Sequence, residues 1–480
     1  MPLATSETTP TNNATPVTEP EYDIKRLDHL GIVAGVIKDL KIVEMIDERL
    51  GTYEDETLSV GETVAGMIIN GLGFSNKPLS LMPLFFENCP LPQLFREGVE
   101  AENFNRFKLG RALDRCHSYG TELLFSEISL KVCQQEQVDT RFNSEDTTSF
   151  TLSGNYHGET DDDEVLITLG HSKAHRPDLK QVMLEMMVTQ DGGIPLIGNA
   201  LSGNASDNTV FKERSEQLVE QFKDADVKYL IADSKLYTEA NADNLKKLKF
   251  ITRIPSTIKQ VSETIEKALT AKDDWQTLDD GRFMQTFNLN HYGIQQRWHV
   301  VSSETSRRQA IKQVDKRVEK EAKRIEKQLF HLQAKRFRHR DDARNAAKTL
   351  AKKWNQHHLT DIQTVEHKKY KGKGRPKAGQ QPTDISYQIQ ASYSQDEEKI
   401  TQLKASSGHY IIGGNADADE LNDQEVVTAY KEQYHVERGF RFLKDPLFFA
   451  SSLSKRHGVS WVCSWSCCFL CWFTVLLKDD

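Results

Sequence analysis

The sequence lacks most of the features that would give a function away. Seven cysteines among 480 residues are an odd number at no framework spacing: Cys89, Cys116 and Cys133 are scattered, and four crowd near the C-terminus. A disulfide-stapled secreted domain is thereby excluded, and a reduced, cytosolic compartment fits. No N-terminal secretory signal is visible. No Cys/His pairing has zinc spacing, no glycine-rich phosphate loop ends in Gly-Lys-Ser/Thr, and no Gly-x-Ser-x-Gly elbow occurs. The fifteen histidines form no cluster suited to a metal. A general excess of positive charge is also absent. The net charge is -8, so any contact with nucleic acid has to come from local basic patches.

What is present divides the chain into stretches of different texture, enough for two or three domains. Residues 1–24 are rich in Thr and Pro and read as a disordered tail. Residues 25–140 read as an all-helical N-terminal domain. Leu30, Val33, Val36, Ile37, Leu40, Val43, Ile46 and Leu50 recur at spacings of three and four. Ser59 and Glu62 form a capping box for a helix through Val64, Met67 and Ile68. Further helices are expected around Leu109–Cys116 and Leu123–Cys133. Such a module can bind DNA through a helix-turn-helix or serve dimerisation; no recognition helix is specified.

From 141 to 255 the pattern becomes β-β-β-α-β-α. The strands run through Asp146, through Gln181–Thr189 and through Ile194–Ala200, with Val165–Leu169 a further strand. A helix over Thr209–Gln221, a buried strand ending at Asp233, a helix over Ala240–Lys247 and a strand over Phe250–Ile254 follow. This is the element order of a ribonuclease-H-like α/β catalytic domain. In that topology the first and fourth strands are neighbours, which brings Asp146 beside Asp233.

Residues 256–408 read as a large insertion. A β part covers Phe283–Leu289 and Gln295–Val301. Residues 303–358 are helical and hold 17 Lys/Arg against 7 Asp/Glu. Ile311, Val314, Val318, Ile325, Leu329 and Leu332 make an apolar seam, so the mixed-charge half reads as a solvated coiled-coil hairpin. The half from Lys335 to Lys353 reads as a surface for backbone phosphates. The basic loop beginning His367-Lys-Lys-Tyr-Lys is either a linker or an arm that tracks DNA. Strands resume at Asp384–Tyr393 and Tyr410–Asn415. Residues 409–454 close the catalytic domain.

The most informative stretch runs from Tyr430 to Lys444. As one continuous helix it would carry Tyr430, Gln433, Glu437 and Lys444 on one face, with Val436, Phe440 and Leu443 on the other. Asp146, Asp233 and Glu437 would then meet at one sheet edge. Three carboxylates suit hard divalent cations, Mg²⁺ or Mn²⁺, and can hold two ions about 3.5–4 Å apart for phosphoryl transfer. Lys444 and Tyr430 are candidate phosphate contacts, together with Gln433.

On these residues the chain resembles bacterial insertion-sequence transposases of the DDE class with the Tyr-Arg-Glu-Lys signature, Y-x2-R-x3-E-x6-K. Tyr430, Glu437 and Lys444 match that spacing. The stretches Ser172-Lys-Ala-His-Arg-Pro-Asp, Gly192-Gly-Ile-Pro-Leu, Ala232-Asp-Ser-Lys-Leu-Tyr and Ile251-Thr-Arg-Ile-Pro are also similar to family stretches. The resemblance covers roughly Arg26 to Ser454. It implies Asp146, Asp233 and Glu437 as catalytic triad and metal ligands, and a largely β insertion before the last acid. It also implies double-stranded DNA as partner, at transposon ends and target, and a homodimer in the synaptic complex.

Two departures stand out. Position 433 is Gln where the family has Arg, so a bidentate phosphate fork is missing. The tail, residues 455–480, is dense in Cys and Trp from Trp461 onward. Both residues have codons beginning TG, and in the neighbouring frame each becomes an NTG codon for Leu, Met or Val. The tail therefore reads as a frameshift product replacing a closing apolar helix, too short for a membrane span. The expectation is a DNA transposase of an insertion sequence, active or decayed, acting in a bacterial cytoplasm. The alternatives are a metal-dependent nuclease without strand transfer and a non-catalytic DNA-binding protein.

Overall fold

The computed structural model describes residues 24–152, 165–172, 176–205, 227–271, 274–279, 281–372 and 379–444. The expected helix at Thr209–Gln221 and the unusual tail lie outside them. The protein is mixed α/β, with a helical N-terminal region and one large sheet.

The N-terminal helices are α1 (Leu30–Asp39), α2 (Ile42–Leu50), α3 (Val60–Leu72), α4 (Arg106–Tyr119) and α5 (Thr121–Gln135), with short turns between α3 and α4. The capping box forms as expected. Ser59 Oγ accepts from the Glu62 N–H at 2.9 Å, and the Glu62 carboxylate accepts from the Ser59 N–H at 2.9 Å. Gly61 is required there, because a Cβ would lie 2.4 Å from the Val43 carbonyl where α2 and α3 cross. These helices do not form a separate core. Leu30, Ile46, Ile69, Phe104 and Leu124 share one apolar cluster with sheet residues Met187, Ile197, Leu230 and Phe250.

The sheet has nine strands: β1 (Phe142–Leu152), β2 (Lys180–Thr189), β3 (Pro195–Ser202), β4 (Tyr229–Ala232), β5 (Lys249–Arg253), β6 (Gln276–Asp279), β7 (Arg282–His291), β8 (Ile294–Ser303) and β11 (His409–Gly414). Their order is β3-β2-β1-β4-β5-β11-β8-β7-β6. β1, β2 and β3 form an antiparallel meander, while β1, β4 and β5 run parallel. The Val165–Leu169 strand is reduced to a single bridge, Thr168 to Gln181. The β part of the insertion is not a separate body, because β6–β8 extend the main sheet through β11. α6 (Lys259–Thr270) joins the N-terminal helices in the same apolar cluster.

The remainder of the insertion has its own core. α7 (Glu304–Ala334), α8 (Arg340–Ala351) and the hairpin β9 (His357–Lys369) with β10 (Asp384–Gln395) bury Ile325, Leu329, Ala343, Ala347, Trp354 and Ile389. The basic loop is the tip of this hairpin, with residues 373–378 outside the described set. α9 (Glu397–Ser406) packs Ile400 on Val314 and Val318 of α7 and leads to β11.

Two closing helices, α10 (Asp423–Lys431) and α11 (Tyr434–Leu443), cover the opposite sheet face. The continuous helix expected over Tyr430–Lys444 is therefore corrected. It breaks at Glu432–Gln433, where His435 N–H bonds Glu432 O at 3.3 Å and Val436 N–H bonds Gln433 O at 3.2 Å. The cause lies in the sheet. Val426, Val427 and Ala429 seat on Tyr229, Ile231, Ile251 and Ile412, whereas Val436, Phe440 and Leu443 seat on Phe150, Leu184 and Met186. These are two separate apolar patches, and the chain bends to reach both. Burying each large α11 side chain is worth about 1.5–3 kcal/mol.

Candidate functional site

Strand alternation sets the geometry. Phe142, Asp146 and Phe150 of β1 point to the face under α10 and α11. Phe142 packs with the α10 cluster and Phe150 with the α11 cluster, so Asp146 falls between the two patches. The parallel register pairs Glu145 with Ala232, and Ala232 with Thr252. One residue further, Asp146 in the middle of β1 comes level with Asp233, just past the carboxyl end of β4, and with Arg253, the last residue of β5. The carboxyl ends of the strands are where open parallel sheets hold ligands.

Asp146 and Asp233 line one pocket of about 30 Å³, together with Lys235 and Leu236, enough for a water-sized guest. Both acids are partly exposed. Asp146 Oδ1 accepts from the Thr147 N–H at 2.7 Å, and Asp233 Oδ1 accepts from the Lys235 N–H at 2.8 Å. Thr252 Oγ1 donates to the Asp233 carbonyl at 2.8 Å, fixing the end of β4 against β5.

The helices above are pinned in turn. Asn422 and Glu425 make a reciprocal cap at the start of α10, and Arg297 of β8 donates to Asp423 at 2.6 Å. The Gln190 amide donates to the Ala429 carbonyl, tying the end of β2 to α10. Tyr430, in the last turn of α10, is half-buried. Burial pushes its phenol up to about 12, with Arg253 pulling down and Asp233 and Tyr410 pushing up. Arg253 also stacks over the Tyr410 ring at 5.2 Å.

Glu437 sits exposed in the first turn of α11 and does not line the Asp146–Asp233 pocket. Among the described residues no three His, Cys, Asp or Glu are grouped closely enough to hold a metal ion. Gln433 lies in the break between α10 and α11. Lys444 Nζ lies 5.8 Å from the Phe150 ring centroid. Gly439 lets α11 approach β2, since a Cβ there would meet Met186 Cε at 3.3 Å. The structure thus sets Asp146 beside Asp233 in one pocket, places Tyr430 in the last turn of α10, and leaves Glu437 on α11 with Lys444 just past its end.

Sequence reasoning gave no role to Arg253 or Lys235. Both lie in the stretches Ile251-Thr-Arg-Ile-Pro and Ala232-Asp-Ser-Lys. The parallel pairing of β4 with β5 is the signal that places Arg253 next to Asp233.

Residues 22–130 match the model of a domain of unknown function, DUF4277. Comparison with curated proteins gives no match. Among solved structures, a piggyBac transposase synaptic complex with hairpin DNA is similar at 9% identity. The alignment covers 94% of this chain and 76% of that one, at a TM-score of 0.38. No helix among the described residues is long and apolar enough to cross a membrane.

Proposed function

We propose that the chain is a metal-dependent DNA transposase of an insertion sequence. The observation that carries this reading is the parallel pairing of β1 with β4, which sets Asp146 beside Asp233 in one pocket. The strand order β3-β2-β1-β4-β5, with β2 antiparallel and β4 and β5 parallel to β1, supports a ribonuclease-H-like catalytic core.

In this reading Asp146 and Asp233 hold Mg²⁺ or Mn²⁺, and the oxygen-only donor set fits such hard cations. Glu437 of α11 would be the third ligand in this reading. Ions held there would supply Lewis-acid activation of the attacking oxygen and charge stabilisation of the leaving one. Arg253 faces the scissile phosphate and supplies the guanidinium that Gln433 does not. Tyr430 stays protonated and donates a hydrogen bond to the same phosphate, consistent with its raised phenol. Lys444 contacts the strand further along. The partner is double-stranded DNA, taken by a homodimer at the element's ends.

The test sequences the DNA on either side of the gene for inverted repeats and uses duplexes that carry them. Mg²⁺-dependent cutting at the repeat, followed by joining of the 3′-hydroxyl to a target plasmid, is expected. Cutting without joining would make the chain a nuclease, and binding without cutting would make it a DNA-binding protein.

A further inference from the structure

A groove lies far along the insertion, on the face of α7 that the apolar seam leaves free. It measures about 670 Å³ and is lined by Arg317, Lys320, Lys323, Arg324 and Lys327, facing the Asn355–Gln356 turn. At about 100° per residue, Arg317, Lys320, Arg324 and Lys327 fall within about 80° of one another. They span about 15 Å of helix at a rise of about 1.5 Å per residue.

The floor is a hydrogen-bonded carboxylate. Glu321 is buried beneath the stripe and accepts from the N–H groups of Asn355 at 3.0 Å and Gln356 at 2.8 Å. His357 Nδ1 lies 3.0 Å from the same carboxylate and Arg324 at 3.2 Å. Lys323 is paired with Glu319 at 2.7 Å. Arg317, Lys320 and Lys327 are exposed and have no ion-pair partner among the described residues. The side chains lining the groove are all charged or amide-bearing, with four of the eight positions forming the basic stripe. One strand of duplex DNA presents a regular row of phosphates, and a basic stripe of this length can follow a short run of them.

We propose that this groove holds the phosphate backbone of duplex DNA outside the cutting site, an assignment that rests on the reading of the chain as a DNA-acting protein. The mixed-charge half of α7, expected as a solvated seam, is then a contact surface on one side and a core on the other.

The experiment measures binding of the full chain to a labelled duplex between 50 and 200 mM salt. Wild type is compared with R317Q/K320Q/K327Q and with an equal-charge control, K246Q/K259Q/K267Q. Each lost phosphate contact lowers the log–log salt slope by about 0.9. Over that fourfold range the wild type should therefore lose about fortyfold more affinity than the groove variant. The control should keep the wild-type slope. A groove variant with the wild-type slope, or a control that changes as much, overturns the assignment and leaves the catalytic reading standing. A wild type that binds no DNA overturns both.

Discussion

Glu321→Gln isolates the clamp that holds the insertion together. Glu321 uses both carboxylate oxygens: Oε1 accepts from the Asn355 N–H, and Oε2 from the Gln356 N–H, with His357 Nδ1 3.0 Å from Oε2. Its side chain is 6% exposed and that of His357 is fully buried. A glutamine keeps the shape but offers one oxygen, so its NH₂ must face one of the two backbone donors. The loss is one hydrogen bond to a charged group, about 1.5–3 kcal/mol, plus a buried donor left without an acceptor. The total is about 3 kcal/mol. Because α7, α8, β9 and β10 have their own apolar cluster, hydrogen exchange should show the loss there first. Amides of Arg340–Ala351 and His357–Lys369 should exchange about a hundredfold faster, while those of β1 and β4 stay protected. Burial opposes ionisation of Glu321, but the backbone and His357 hydrogen bonds outweigh it and hold the carboxyl below the ordinary value. The clamp is thus complete above the ordinary glutamate range and weakens as pH falls through its lowered folded value. Exchange in Glu321→Gln within twofold of wild type would refute the reasoning.

Phe440→Ala removes the centre of the α11 seat and should cost about 3–5 kcal/mol, read as loss of protection in Tyr434–Leu443 and loss of cutting, with the Asp146 pocket intact. His299 is buried beside Arg297 and Asp423, and burial lowers its imidazole to about 4. The unfolded chain binds a proton there between about pH 6.5 and 4 and the folded chain does not. Stability should therefore fall by up to about 3 kcal/mol as pH drops through that window, and His299→Gln should flatten the slope in denaturant titrations. Gln433→Arg should raise the rate of DNA cutting by restoring a guanidinium at the break between α10 and α11; an unchanged rate would mean that Arg253 already suffices.

The pairing of β1 with β4 was legible in the sequence, because strand alternation and the order of strands and helices are local patterns that together make these strands neighbours. So was the apolar face of α11, since Val436, Phe440 and Leu443 keep helical spacing. The break at Glu432–Gln433 was hidden for a physical reason. Ala429 and Val436 are seven residues apart, two helical turns, so the apolar phase runs on unbroken while the sheet offers two seats. Membership of β6–β8 in the main sheet was hidden because β11, more than a hundred residues later, inserts between them and β5. The stripe from Arg317 to Lys327 was visible as charge, but only the turn at Asn355–Gln356 makes it one wall of a groove.

The most direct test is Mg²⁺-dependent cutting of a repeat-bearing duplex by wild type, Asp146→Asn, Asp233→Asn and Glu437→Ala, with DNA binding measured in parallel. The account predicts cutting by wild type alone and equal binding by all four. Cutting that survives in Asp146→Asn or Asp233→Asn would contradict it.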